Sequence, residues 1–163
     1  MTGTRLSAQP LTKAGFAPYG DVIETEGATH FTINDGFAER FHDLAGIDVC
    51  SGAGQPLLNI FRALPRQGPV EITFLERHPL GSQAFIPLEH TPFLILVARQ
   101  PEVEALQLFL SNGRQGVNYR RGIWHYPLLA MDRQSDFVVI DRGGPGDNCE
   151  VRHFDEPALI AVA

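Results

Sequence analysis

Two histidines, a glutamate and a glutamine are the residues of this 163-residue chain best suited to chemistry. The stretch "LERHPLGSQAF" (75–85) places Glu76, His78 and Gln83 within eight positions and then runs into an apolar segment. Side chains alternate faces along an extended strand, so Glu76 and His78 point one way and Arg77 the other. Pro79 and Gly81 break the run, and a strand–turn–strand path can bring Gln83 back beside the pair. Far downstream, His125 follows a glycine-led turn in "RRGIWHYPL" (120–128). Glu76, His78, Gln83 and His125 could together bind a divalent cation such as Mn2+ or Zn2+. Neutral imidazoles can equally shuttle protons, so ligand and acid/base roles both stay open for His78 and His125. Spacing alone is a weak signal here, because many strands contain E-x-H and a lone buried histidine more often satisfies a core hydrogen bond.

The cations are the second source of chemistry. Lys13 is the only lysine, and every other cation is an arginine. Planar guanidinium forks suit bidentate carboxylate binding, although genomic composition bias produces the same excess. Arg40, Arg62 and Arg142, with Tyr119, are the candidates for holding a small anionic substrate. Arg62 interrupts the apolar run "NIFRAL" (59–64), so it faces a polar cavity or marks a strand edge. Arg142 follows Asp141, and a structural Asp–Arg pair is the alternative to substrate binding. Arg77 alternates away from the proposed site and reads as structural. His42 shares a face with Arg40 if its run is extended and reads as a surface residue; His30, His90 and His153 receive no role. Tyr119 is a cavity wall or ordinary core, and Trp124 reads as core. Neither glycine-rich turn, "GAGQP" (52–56) or "GGPGDN" (143–148), is a nucleophile elbow or a phosphate-cradling loop before a helix.

What positions these residues must be mostly β-structure. Glycine and proline recur at short intervals between runs rich in Phe, Ile, Val and Leu, the pattern of short strands joined by turns. The predicted strands are 21–25, 31–33, 38–45, 56–64, 70–78, 83–88, 92–98, 106–111, 116–120, 123–130 and 135–142. Only "PLTKAGFAPYG" (10–20), broken by Pro18, and a short C-terminal turn in "EPALIAVA" (156–163) suggest helix. So many short strands in one domain, taken as residues 1–163, imply a sandwich or small barrel with one or two short peripheral helices. The run "FLILVA" (93–98) is apolar on consecutive positions, so its strand is covered on both faces by a second sheet, a helix or another subunit. A homodimer follows as an expectation.

The formal net charge of −6 argues against nucleic acid, whose phosphates need a basic surface. The longest purely apolar run is too short to span a bilayer, and "MTGTRLSAQPLTKAGF" has no secretory core, so a cytoplasmic protein is expected. Cys50 and Cys149 lie far apart and outline neither a disulfide framework nor a zinc ribbon.

The spacing E-x-H-x4-Q with a distant G-x2-H resembles a degenerate cupin signature, in which two histidines and a glutamate, then a further histidine, hold a metal. Glu76 stands for the first histidine, His78 matches the second, Gln83 replaces the glutamate, and Gly122 and His125 match the second motif. Arg120 and Leu129 replace its proline and asparagine. A closer resemblance covers nearly the whole chain. "FAPYGDVIE" (16–24), "INDGFAERFHDLA" (33–45), "LERHPLGSQAFIPL" (75–88), "NGRQGVNYRRGIWHYPL" (112–128) and "IDRGGPGDNC" (140–149) resemble, in order, the ureidoglycolate lyase family. That resemblance implies a cupin β-barrel, a homodimer, and cleavage of ureidoglycolate to glyoxylate and urea late in purine (allantoin) breakdown. The alternatives are a metal-dependent cupin of another class, such as an isomerase or oxygenase, and a non-catalytic cupin that binds a small acid.

Overall fold

The computed structural model describes residues 4–161. In chain order the strands are β1 (Arg5–Leu6), β2 (Gln9–Pro10), β3 (Gly20–Ile23), β4 (His30–Ile33), β5 (Ala38–Phe41), β6 (Gln55–Ala63), β7 (Val70–Arg77), β8 (Gln83–Pro87) and β9 (Phe93–Ala98). They continue as β10 (Gln107–Leu110), β11 (Gly116–Tyr119), β12 (Trp124–His125), β13 (Leu129–Ala130), β14 (Ser135–Gly143) and β15 (Glu150–Ile160). One four-residue helix, α1 (Lys13–Phe16), starts where the Thr12 side chain accepts a hydrogen bond from the Gly15 amide at 3.0 Å.

A curled sheet runs β1-β15-β7-β12-β9-β10-β2, with β13 also on β9. A second sheet runs β3-β11-β8-β14-β6, and β4–β5 form a separate hairpin. This is the cupin-like β-barrel that the strand pattern and the motif resemblance imply. Strand β9 shows how the sequence dictates it. Phe93, Ile95 and Val97 pack with Phe85, Val117, Phe137 and Val139 of the second sheet. Leu94, Leu96 and Ala98 pack into a separate cluster with Ile72, Leu75, Leu108 and Ile160. The double-sided coverage of this strand therefore comes from within the chain.

Several boundaries differ from expectation. The segment 156–160 is not helical: Ala158, Leu159 and Ile160 pair with Ile72, Glu71 and Val70, extending β15 along β7. An isolated turn this short gains little as a helix, whereas pairing satisfies its backbone and buries Ala158 and Ile160. Val162 and Ala163, the end of that predicted turn, lie outside the described residues. The run 123–130 splits into β12 and β13, because Pro127 has no amide to donate to a ladder. The run 38–45 stops at Phe41, and Asp43 beyond it takes a left-handed φ of 54°. Strands β1, β2 and β15 have no counterpart in the sequence reading.

Candidate active site

Strands β7 and β12 lie side by side with His125 opposite Glu76 in register. His125 is buried, and its Nδ1 lies 3.0 Å from the Ile123 carbonyl oxygen. A carbonyl only accepts, so Nδ1 carries the proton and donates, leaving the Nε2 lone pair facing the site. Nε2 is fully buried without a hydrogen-bond partner; its nearest charged neighbour is Glu76 Oε1 at 3.6 Å, too long for a good hydrogen bond. The Tyr119 ring stacks on His125 at 4.3 Å and 14°, fixing the plane of the imidazole from behind.

His78 follows β7 and is held in the same manner. Its Nδ1 donates to the Asn148 carbonyl at 2.6 Å, so Nε2 presents its lone pair 3.1 Å from Gln83 Oε1, another acceptor. The Asn148 side chain accepts from the Leu80 amide at 2.9 Å, tying the glycine-rich loop 143–148 to the turn after β7. The two imidazole centroids are 5.1 Å apart. Ligand atoms of Glu76, His78 and His125 all lie within 4.8 Å of one another.

The result is unusual for a protein interior: two imidazole lone pairs, a carboxylate and an amide oxygen converge with no donor between them. Buried acceptors left facing one another are costly, and a proton or a cation relieves them. The Glu76 carboxyl lies below its ordinary pKa, first through the hydrogen bond that a protonated His125 would offer it; burial opposes this, and the charges His125 and His78 can carry add to it. It is therefore a carboxylate at neutral pH. Tyr119 is driven the other way, chiefly by burial and then by the Glu76 charge, and keeps its phenolic proton. The donor set suits a divalent ion: two imidazoles whose Nδ1 atoms face backbone carbonyls, plus two oxygens.

Glu76, Gln83 and His125 open onto a pocket of about 560 Å³, whose other walls include Phe61, Phe85, Pro127 and Leu128. His78 is not among the lining residues and joins the cluster through Gln83 and His125. Arg62 lines the rim while making a bidentate pair with Asp136, both contacts at 2.8 Å. Arg66 also lines it, and the sequence reading passed it over. Two of the expected substrate-binding arginines lie elsewhere. Arg40 sits on the β4–β5 hairpin over the Phe31 ring, 5.7 Å from its centroid. Arg142 is buried, and its guanidinium donates to the carbonyls of Ser51, Gly52 and Pro145, pinning two loops together. It does not pair with Asp141, because neighbours on a strand face opposite ways. Tyr119 backs His125 and does not line the pocket. Arg77 pairs with Glu150 at 2.6 Å and covers the Trp124 ring, a structural role as expected. Asp141 entered the sequence reading only as a possible partner for Arg142, and Asn148 only through its place in "IDRGGPGDNC".

The family model described as ureidoglycolate lyase matches residues 3–161. The chain belongs to this family. A ureidoglycolate lyase of Burkholderia mallei (strain NCTC 10229) is 53% identical over 165 residues, covering 96% of this chain and 97% of its own. One from Burkholderia cepacia is 57% identical, covering 92% of this chain and 87% of its own. One from Pseudomonas syringae pv. syringae (strain B728a) is 51% identical, covering 97% and 95%. No helix among the described residues is long and apolar enough to cross a membrane.

Proposed function

We propose that this member of the family is a ureidoglycolate lyase, a carbon–nitrogen lyase that cleaves ureidoglycolate to glyoxylate and urea. The substrate is a carbinolamide, with hydroxyl, carboxylate and a urea nitrogen on one carbon. Elimination removes the hydroxyl proton, forms the C=O of glyoxylate, breaks the C–N bond and returns a proton to the departing nitrogen. The observation that carries the reading is the unpartnered Nε2 of His125, buried at the pocket floor beside the Glu76 carboxylate. His125 takes the hydroxyl proton, and Glu76 stabilises the imidazolium that results. His125 then returns that proton to the departing urea nitrogen, while the lone pair of His78, held by Asn148, and the oxygen of Gln83 accept hydrogen bonds that orient the substrate. Arg62 and Arg66 on the rim supply positive charge for the substrate carboxylate.

Glu76, His78, Gln83 and His125 would also hold a divalent ion such as Mn2+ or Zn2+, which when bound supplies Lewis-acid stabilisation of developing negative charge. The reaction belongs to allantoin and purine breakdown in the cytoplasm, carried by a single domain. A homodimer is supported by β6: it is a sheet edge with Leu58 and Ile60 largely exposed, and such apolar edges call for cover. Sedimentation should give twice the 18.0 kDa chain mass. The decisive assay follows urea and glyoxylate released from ureidoglycolate by purified protein. Stoichiometric release of both is expected; no turnover with or without added Mn2+ or Zn2+ would overturn the proposal.

A further inference from the structure

Asp141, on β14, does not line the pocket and makes no hydrogen bond to either histidine, but it hydrogen-bonds to Gln83, which does line it. Its Oδ2 accepts from Gln83 Nε2 at 3.4 Å, and its Oδ1 accepts from Asn59 Nδ2 at 3.1 Å. A carboxylate has no proton to give, so only the nitrogen end of the glutamine amide can face it. The amide is planar, and its oxygen must then point the other way. It does so, lying 3.1 Å from His78 Nε2. Asn59 reaches Asp141 across the β6–β14 ladder, where the register pairs Asn59 with Val139, and keeps the carboxylate from turning aside. If this restraint were removed, the amide could turn over and donate to the His78 lone pair. The site would then lose two acceptors at once, one capped by a hydrogen bond and one turned away.

We infer that Asp141 is a positioning residue that holds Gln83 with its carbonyl oxygen toward His78 and its nitrogen away, keeping that oxygen among the acceptors that converge on the centre. The inference rests on the roles proposed for Gln83 and His78. It is specific to orientation: Asp141 acts only through Gln83, and Asn59 only through Asp141.

Two measurements test it. Neutron diffraction from crystals of the native, deuterium-exchanged protein locates the two deuterons of the Gln83 amide. They are expected on the Asp141 side, and deuterons directed at His78 overturn the inference whether or not the protein turns over ureidoglycolate. In the assay, Asp141→Asn, which preserves shape and admits the turned amide, is expected to lower kcat by about tenfold to a hundredfold, with little change in KM or melting temperature. The same change in a Gln83→Glu background is expected to raise activity, because it removes a carboxylate from beside the new one. A merely structural Asp141 gives equal losses in both backgrounds, and that result sinks the idea. Full activity in Gln83→Ala marks a different failure, since it removes the site assignment on which the inference stands.

Discussion

The molecule contains one local arrangement twice, with opposite consequences. On the β4–β5 hairpin, His30 Nδ1 lies 3.2 Å from the carbonyl of Ala28, two residues back; in the barrel, His125 Nδ1 lies 3.0 Å from that of Ile123, also two back. Each imidazole turns Nε2 toward a glutamate, His30 to Glu39 at 3.9 Å and His125 to Glu76 at 3.6 Å. Each lies against an aromatic ring, Phe41 at 5.4 Å and Tyr119 at 4.3 Å. Burial separates them. The hairpin side chains are 53% exposed on both sides, whereas those in the barrel are 2% and 24% exposed. Water meets the free valences of His30, and salt screens its glutamate. At His125 nothing does, so the unpaired lone pair is available to substrate or cation. Residue type and pairing are the same at both places; exclusion of water is what suits one of them to the reactive role proposed for it.

The largest effect expected from this contrast comes from deleting each histidine. His125→Ala should lower kcat/KM for ureidoglycolate by roughly 10²- to 10⁴-fold, the range for losing an acid/base group. His30→Ala should leave it unchanged in the same assay. Comparable activity in the two variants would erase the distinction drawn between the regions. Next in size is the glutamate. Glu76→Gln keeps the shape but removes the charge, and should cost about 10²-fold in kcat, with the loss persisting across neutral pH. The low pKa of Glu76 sets the sign of its pH dependence: its contribution is present above the ordinary carboxylate range and is lost as pH falls through the lowered value. Activity of the native protein should therefore not depend on Glu76 ionisation near pH 7, and a rate profile from pH 5 to 9 checks this.

The contrast also explains what the sequence could and could not disclose. Alternation along 75–78 placed Glu76 and His78 together, and the Pro79–Gly81 break returned Gln83 to them, because these are local consequences of strand geometry. The doubly buried β9 was legible as an unbroken apolar run. Arg142 and Arg40 were not placeable, since an arginine bound to three backbone carbonyls looks the same in sequence as one awaiting a carboxylate. Asn148 acts on His78 through its main-chain oxygen, which side-chain identity does not encode. Asp141 works through contacts 58 and 82 residues away along the chain, so only the completed second sheet brings it to Gln83 and Asn59. The C-terminal segment misled for the opposite reason: its local preference was overridden by the open edge of β7.

A third, intermediate effect concerns the rings behind the histidines. Tyr119 is buried and stacked on His125, so Tyr119→Leu should release the imidazole plane and cost about three- to tenfold in kcat, the worth of one aromatic contact. Tyr119→Phe keeps the ring and should stay near the native rate, because the hydroxyl is protonated and takes no proton-transfer role. A large loss in the phenylalanine variant would make the hydroxyl a participant and move Tyr119 into the chemistry.

The smallest effect is expected where the hairpin pair is removed altogether. His30 and Glu39 are half exposed and 3.9 Å apart, a geometry in which attraction and the entropy of holding both side chains nearly cancel. The double variant His30→Ala with Glu39→Gln should therefore unfold in urea within about 0.5 kcal/mol of the native protein, at low and at high salt alike. The comparison turns on this null result as much as on the loss at His125. If the hairpin pair contributed several times that amount, exposure would not be what distinguishes it from His125 and Glu76. Water exclusion would then no longer explain why the reactive role is proposed for only one of two matching histidine–glutamate pairs.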